Sequence, residues 1–525
     1  MSPSLKSFAS SRAGAALLSF AWLALLAWPR PLMLPDEGRY VGVAWEMMRS
    51  GDWLVPTLNG LPYFHKPPLF YWITAASMTA FGPGDWAARA APLLGAWAGA
   101  MAIFFFVRRW WGERAAGLAL VVLLAQPLFY IGGQFANLDM LVAGCITVTI
   151  TLLAHTALLS QEGSAYRAPL VGAYAAAALG VLAKGLIGFV LPALVVAAWL
   201  LLRRRWQTLL GLVSIPGTIL FLLIAAPWFI AMQAHFAGFL DYFFVVQHFK
   251  RFAAGGFNNV QPLWFYPAVL LLFTLPWLPW LRPHFERGRV GDPVRGDVRT
   301  LMWLWLALIV AFFSLPASKL LGYVLPAVPP LAVLLADGLE AWQERSPRSG
   351  RRWAVSAGVT VALSLAAIGV LAARTPHSTK DIAAALRTLR QAGEPVYMLD
   401  NYYFDLPLYA RLPEPVATVL DWSDPEIHRR DTWRKELTDA GDFAPARAQR
   451  TLLRPALLGP SICARPLSWV VGPPDAATRY PLLAHAEVAV QGANATLWRV
   501  DREQARVKAS LNCPETPNAG STATS

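Results

Sequence analysis

The chain has 525 residues, 56% of them hydrophobic, with 23 tryptophans and a mean hydropathy of +0.42. That composition excludes the soluble enzyme classes and places the chain among polytopic membrane proteins. The formal net charge of +13 does not call for nucleic acid, because the arginines cluster in short loops between apolar runs, where they act as topology signals.

In chain order, Lys6 and Arg12 precede the apolar stretch from Ala13 to Trp28. No small-x-small cleavage site follows, so the stretch is read as a retained first span and not a removed signal. Stretches that reach or approach spanning length run near 13–34, 87–107, 115–132, 140–159, 168–183, 186–202, 208–231, 263–281, 300–316, 321–340 and 353–373. The fold class expected is a polytopic α-helical membrane protein of about eleven to thirteen spans, followed by a carboxy-terminal extracytoplasmic α/β domain. Basic loops at 108–114 (RRWWGER), 203–205 (RRR), 282–299 and 344–352 (ERSPRSGRR) are read as cytoplasmic. An inside amino terminus and these spans put all four on that side, and make 35–86, 133–139, 184–185, 232–262, 317–320 and everything after about 374 extracytoplasmic.

The first outer loop, 35–86, opens with LPDEGRY (34–40) directly after the first span. Residues 38–50 place Tyr40, Val41, Ala44, Trp45 and Met48 on one face, which predicts an amphipathic helix in the interface plane. Turns at Gly51-Asp52 and Asn59-Gly60 follow, and Pro67-Pro68 stiffens the return to the membrane, fixing Tyr63, His65 and Lys66 near re-entry. The loop reads as a lid over a pocket.

Charges recur at the outer membrane edge: Asp36, Glu37, Arg39, His65, Lys66, Asp139, Lys184, Asp241, His248, Lys250, Arg251 and Lys319. An ionisable group at such a depth is costly unless it meets a partner or faces water, so one shared polar cavity would explain them together. Each also has a structural reading. Lys184 or Lys319 alone can snorkel to headgroups, and Asn137 and Asp139 can cap the next helix. His248, Lys250 and Arg251 can sit on an interfacial helix against lipid headgroups. Asp36 has little structural reason beyond capping helix 38–50.

The motifs LPDEGRY, SGDWLVPTLNGLPYFHKPPLFYW (50–72), FANLDM (135–140), LAKG (182–185) and SKLLGYVLPAVPPLAVLLA (318–336) together resemble the aminoarabinose-transferase family of polyprenyl-phosphate-dependent membrane glycosyltransferases, which hand a lipid-linked sugar to lipid A. More distantly the chain is similar to the protein O-mannosyltransferases. The resemblance spans roughly 20–340 in motif order and implies a GT-C type fold. It makes Asp36 the catalytic carboxylate, with Lys66 beside it in the catalytic set and Arg39 near the donor phosphate or the acceptor. Tyr40 and Tyr63 would line the same cavity, Asp139 and Lys184 would stand at polar cavity positions, and Arg251 and Tyr323 would touch the lipid-linked phosphate. Glu37, His65, His248 and Lys319 complete the expected substrate-binding set. One departure is visible: the family usually has Glu before the lysine of the KPP turn, and this chain has His65. The exchange alters charge and metal-ligating capacity; no metal site is assigned, and a divalent cation near His65 or His248 is the alternative.

The chemistry can be argued from the residues. A sugar leaving a polyprenyl phosphate gathers positive charge at its anomeric carbon and negative charge on the phosphate. Cations such as Lys66, Arg39, Lys184, Arg251 and Lys319 suit the phosphate. Asp36 suits an acceptor hydroxyl as general base, or orients a phosphate acceptor that is already anionic. One well-placed acid predicts a metal-independent displacement with inversion; Glu37 as a nucleophile is the alternative, by double displacement.

After Arg374 charged residues and prolines become common and apolar stretches shorten. EPVYMLDNYYFDLPLYARLPEPV reads as strand, loop and helix, and LSWVVGPP and ATLWRVD as strands, so 374–510 is expected to be a small α/β domain and 511–525 a disordered tail. The transmembrane domain is expected at 1–373. Cys463 and Cys513 are free to pair in an oxidising compartment, while Cys145 reads as core. NAT at 494–496 reads as a strand.

Three functions follow. The first is transfer of an aminoarabinose-like pentose or related hexose from a polyprenyl-phosphate donor to lipid A or a related glycolipid, in contact with membrane lipids at the periplasmic face of a bacterial inner membrane. The second is the same chemistry on protein hydroxyls. The third is a transporter or flippase, disfavoured because no internal repeat is found and the charges gather at one face. The sequence does not fix an oligomeric state.

Overall fold

The computed structural model describes residues 11–250, 259–286, 292–345, 349–374, 378–430, 432–511 and 513, with the side chains of 246–250 and 349–351 left aside. The chain divides into two compact units. One comprises 1–31, 50–56 and 64–375; the other comprises 32–49, 57–63 and 376–525.

The first unit is helical. Six of its described helices are long and apolar enough to cross a membrane: Ala90–Trp111, Leu138–Gln161, Ile215–His235, Pro293–Ser314, Leu321–Arg345 and Arg352–Arg374. Glu113–Ala125 and Pro127–Gly133 qualify together as a pair bent by 70°, and Arg12–Ala24, Leu69–Phe81 and Ile187–Leu202 are shorter apolar helices. The protein is a multi-pass membrane protein. Several expected spans differ in form for local reasons. The run near 115–132 breaks at Gln126, because the residue before a proline is pushed out of the helical region and Gln126 is extended at ψ 120°. The run near 263–281 is α-helical only over Phe265–Thr274, after which Pro276, Pro279 and Pro283 leave a tighter 3-10 helix from Leu275 to His284.

Close helix contact is written in small residues. A Cβ on Gly95 would lie 2.6 Å from the Leu141 Cα, and one on Gly144 would lie 2.8 Å from the Gly95 Cα. Gly95 and Gly99 form a G-x-x-x-G pair on Ala90–Trp111, so the backbones of that helix and Leu138–Gln161 touch. Two fully buried arginines satisfy main-chain carbonyls where the first helix ends. Arg89 donates to the carbonyls of Ala27 (2.7 Å), Arg30 (3.0 Å) and Pro31 (3.1 Å), and Arg30 donates to that of Gln134 (2.7 Å). Segment 50–56 is tied down by two indoles: Trp72 donates to the Trp53 carbonyl (2.6 Å) and Trp228 to that of Leu54 (3.0 Å).

The basic stretches read as topology signals also make buried ion pairs. Asp337, fully buried, accepts from Arg295 Nε (3.0 Å) and Arg299 Nε (2.7 Å), and Asp297 pairs with Arg203 and Arg205. Neither acid could survive unpaired at that burial.

The second unit is built on a six-stranded sheet in the order β5-β4-β3-β6-β8-β7, from β3 (Val396–Leu399), β4 (Ala417–Val419), β5 (Leu452–Leu453), β6 (Leu467–Gly472), β7 (Glu487–Gln491) and β8 (Thr496–Asp501). Strands β5, β4, β3 and β6 run parallel, and β8 and β7 add antiparallel. All four residues of β3 are buried, as expected for a central parallel strand covered on both faces. Cys463 and Cys513 form a disulfide beside the core that includes Val470, Trp498 and Val507. The three expected strands are β3, β6 and β8. The unit reaches further back in the chain than 374–510, taking in helix Asp36–Ser50 and a hairpin of β1 (Thr57–Leu58) and β2 (Leu61–Pro62). Its turn, Asn59-Gly60, has φ of 53° and 72°, the pair that a two-residue hairpin of matching twist requires. Asn59 then exchanges two 2.8 Å hydrogen bonds with the main chain of Val416.

Candidate active site

Helix Asp36–Ser50 begins with two acids in its first turn, where the exposed N–H groups favour negative charge. They have different jobs. The Glu37 carboxylate is fully buried and accepts from the Met33 N–H at 2.9 Å, so it closes the helix start. Asp36, with its side chain 38% exposed, meets Arg39 one turn on, Oδ1 to Nη2 at 2.6 Å. Arg39 turns its other terminal nitrogen to Glu436 Oε1 at 2.7 Å, and Glu436 Oε2 accepts from the Tyr63 hydroxyl at 3.2 Å. The Arg39 guanidinium also lies 5.1 Å from the Tyr40 ring centroid. Burial works against the Arg39 charge, but Glu436, then Tyr40, Tyr63 and Asp36, outweigh it and hold its proton more tightly than usual. Asp36, Arg39, Tyr40 and Tyr63 are thus one cluster, completed by Glu436.

Glu46, on the same helix, accepts from Thr57 Oγ1 (2.7 Å) and Gly60 N–H (3.0 Å), which fixes the hairpin ahead of Tyr63. Burial pushes its carboxyl up, partly offset by those two bonds. Gly38 packs so tightly that an added Cβ would lie 2.8 Å from Phe404 Cβ. The helix is therefore seated by backbone approach as well as by charge.

The helical unit holds a second cluster. Asp139 lies in the first turn of helix Leu138–Gln161, capped by Asn137, whose side chain accepts from the Asp139 N–H at 2.9 Å and donates to its Oδ2 at 3.1 Å. Lys184, the last residue of helix Arg167–Lys184, forms an ion pair with Asp139. Its ammonium also sits 4.3 Å from the Tyr323 ring centroid. Both partners are nearly buried, with side chains 13% and 8% exposed. Gly322 lies so close that a Cβ there would collide with the Asp139 carboxylate. Asp139, Lys184 and Tyr323 are thus brought together.

His65 is buried and its Nε2 lies 3.1 Å from the Tyr242 hydroxyl; Lys66 follows it, half-buried. Lys319 is bonded to main-chain carbonyls. Its ammonium donates to the carbonyls of Gln261 (2.9 Å), Pro316 (2.5 Å) and Ala317 (3.4 Å), and its N–H to that of Asn259 (3.1 Å). With three N–H bonds to fill and three carbonyls filling them, it closes a loop. Arg251 and the His248 side chain lie outside the described residues. Among the described residues no group of three His, Cys, Asp or Glu side chains is spaced to hold a metal ion.

Glu436, Tyr242 and Gly322 were not singled out from the sequence. Glu436 sits in an ordinary charged stretch of helix Trp433–Asp442, and its partner is 397 residues away. Only Gly322, next to Tyr323 in the SKLLGY motif, carried a local signal.

A helical membrane unit followed by a mixed sheet is the architecture of a polytopic α-helical membrane protein with a carboxy-terminal α/β domain. Comparison finds similarity to aminoarabinose transferases and to a mannosyltransferase family. Residues 65–230 match the family described as dolichyl-phosphate-mannose-protein mannosyltransferase. The chain is 34% identical over 362 residues to the undecaprenyl phosphate-alpha-4-amino-4-deoxy-L-arabinose arabinosyl transferase of Aeromonas hydrophila, covering 66% of this chain and 64% of that one. It is 34% identical over 317 residues to the transferase of the same name from Edwardsiella ictaluri, covering 58% and 55%. The chain thus spans more than half, and less than two thirds, of the length of these curated relatives. Among solved structures, ArnT from Cupriavidus metallidurans bound to undecaprenyl phosphate matches with a TM-score of 0.76 at 24% identity, over 96% of this chain and 98% of that one. At that identity the likeness shows the fold.

Proposed function

We propose that the protein is a glycosyltransferase that moves a sugar from a polyprenyl-phosphate donor to lipid A or a related envelope glycolipid, at the periplasmic face of a bacterial inner membrane. The observation that carries this reading is the accessibility order of the acids around Arg39: Asp36 is 38% exposed at its side chain, Glu436 8%, and Glu37 fully buried. Asp36 is the acid of this cluster best placed to reach a substrate, and it begins the LPDEGRY helix. The names of the relatives and of the solved ArnT complex, with undecaprenyl phosphate, supply the donor class.

In this reading Asp36 orients or deprotonates the acceptor, with Arg39 holding it in place. Lys184 stabilises the leaving phosphate, and Asp139 and Tyr323 hold the ammonium where that charge develops. Lys66 serves the donor phosphate as well. The displacement is single and inverting, because Glu37 is committed to the helix start. The test is transfer from a panel of radiolabelled polyprenyl-phosphate sugars to lipid A, comparing the wild type with Asp36→Asn. A loss of about 10²- to 10⁴-fold is expected; retained transfer would remove Asp36 from catalysis.

The match over residues 65–230 to a protein mannosyltransferase family favours a second reading, transfer to protein hydroxyls. Label on trypsin-sensitive material, with none in lipid extracts, would select it.

A further inference from the structure

One cavity of about 390 Å³ lies wholly within the carboxy-terminal unit, and none of its lining residues belongs to the clusters around Arg39 or Lys184. It opens at the amino ends of the parallel neighbours β3 and β4, where Val396 and Ala417 line it. Three arginines from three separate segments surround it: Arg390, just after helix Lys380–Leu389; Arg450, on helix Pro445–Thr451; and Arg465, just after helix Leu458–Cys463.

The charges there are unevenly committed. Arg390 Nε donates to the Glu394 carbonyl at 2.8 Å, which fixes its guanidinium at the rim. Among the described residues, Arg450 and Arg465 make no side-chain hydrogen bond and have no carboxylate within 4.0 Å. Of the two acids in the lining, Glu394 already accepts from Trp469 Nε1 (2.7 Å) and the Gln391 N–H (2.8 Å); Glu414 is exposed. Arg450 and Arg465 are exposed and Arg390 half-buried, so their field is open to an incoming anion, and a concavity lined by one sign of charge concentrates it. Guanidinium forks match the oxygens of a phosphate in pairs. The volume sorts the ligand further: it lies within the range of small-molecule pockets, too large for a bare phosphate and suited to a sugar.

We propose that this cavity binds a phosphorylated sugar, with Arg450 and Arg465 on the phosphate and Glu414 and Ser461 on the ring hydroxyls. The same chemistry is offered by a soluble sugar phosphate and by a glycolipid headgroup. The test is calorimetric titration of the full-length protein in phosphatidylcholine nanodiscs with glucosamine 1-phosphate, glucosamine and inorganic phosphate, and with vesicles carrying a phosphorylated glycolipid. One-site binding of glucosamine 1-phosphate, at least tenfold tighter than inorganic phosphate and with no binding of glucosamine, is expected. If the vesicles alone bind, the source is the glycolipid.

Arg450→Glu with Arg465→Glu should weaken binding at least a hundredfold. Ser461→Phe, which fills the cavity without changing charge, should abolish it. Arg506→Glu, an exposed arginine of the same unit outside the lining, should leave it within twofold. No saturable binding in either arm, or an equal loss in Arg506→Glu, overturns the proposal. Should the double variant misfold, Ser461→Phe carries the test alone.

Discussion

Arg39 and Glu436 are 397 residues apart in the chain and meet at 2.7 Å, the arginine holding Asp36 with its other terminal nitrogen. A carboxylate from the carboxy-terminal region thus sets the orientation of the arginine that grips the candidate catalytic acid. Glu436→Gln keeps the shape and removes the charge. The expected result is a fall in kcat of about tenfold to a hundredfold with KM changed little, because a misplacement of an ångström near the chemistry has that effect. Full kcat in Glu436→Gln would reduce the contact to a structural one.

The Asp139–Lys184 pair makes a sharper distinction. Lys184→Met strands a buried carboxylate and should cost about 3–5 kcal/mol of stability. Adding Asp139→Asn removes the stranded charge, so the double variant should regain most of its thermal stability. If Lys184 serves the donor phosphate, transfer stays lost in the stable double variant. Recovery of transfer together with stability would show that the lysine only neutralises Asp139.

Asp405 predicts a pH dependence. It is fully buried, accepts from Ser378 Oγ (2.9 Å), Thr379 N–H (2.9 Å) and Thr379 Oγ1 (2.6 Å), and burial outweighs those bonds to push its carboxyl up to about 6. The unfolded chain titrates the same group near 3.9. Between these values the folded state binds the extra proton, so this contribution to stability is full below about pH 4 and is lost as pH rises through about 6. The cost at pH 7 is about 3 kcal/mol. Thermal midpoints at pH 5 and pH 7, for wild type and Asp405→Asn, check this: the wild type should lose more on going to pH 7 than the variant does.

The Cys463–Cys513 disulfide closes a loop with a sequence separation of 50. Loop entropy alone gives it about 4 kcal/mol. Reduction, or Cys463→Ser with Cys513→Ser, should lower the unfolding midpoint of the carboxy-terminal unit, while Cys145, in helix Leu138–Gln161, gives no such response. An unchanged midpoint after complete reduction would contradict this.

What was legible in the sequence follows from how local each signal is. Apolar runs at 87–107 and 140–159 coincide with helices Ala90–Trp111 and Leu138–Gln161, since hydropathy over twenty residues needs no partner. The amphipathic pattern of 38–50 appears as helix Asp36–Ser50, and LSWVVGPP and ATLWRVD contain β6 and β8. The partners of these segments were not legible. Nothing in TWRKELTD distinguishes Glu436 from the acids around it, and nothing near Asn59 names Val416, because both relationships join segments more than 350 residues apart. The surroundings of Lys319 were not legible for a related reason: its violation of charge bias is visible locally, but the three carbonyls it donates to arrive only with folding.

The backbone contact at Gly95 and Gly144 has a consequence for how such a protein varies. Neither position admits a methyl group, so helix Leu138–Gln161 can neither slide nor rotate along Ala90–Trp111 without main chain meeting main chain. Asp139, five residues before Gly144, inherits that immobility. If the ion pair serves the proposed donor site, a lineage under pressure to accept a different headgroup must then make its changes on the other side of the pair, around Lys184, Gly322 and Tyr323. Sequence divergence among relatives that use different donors should accumulate there, while the two glycines stay as they are.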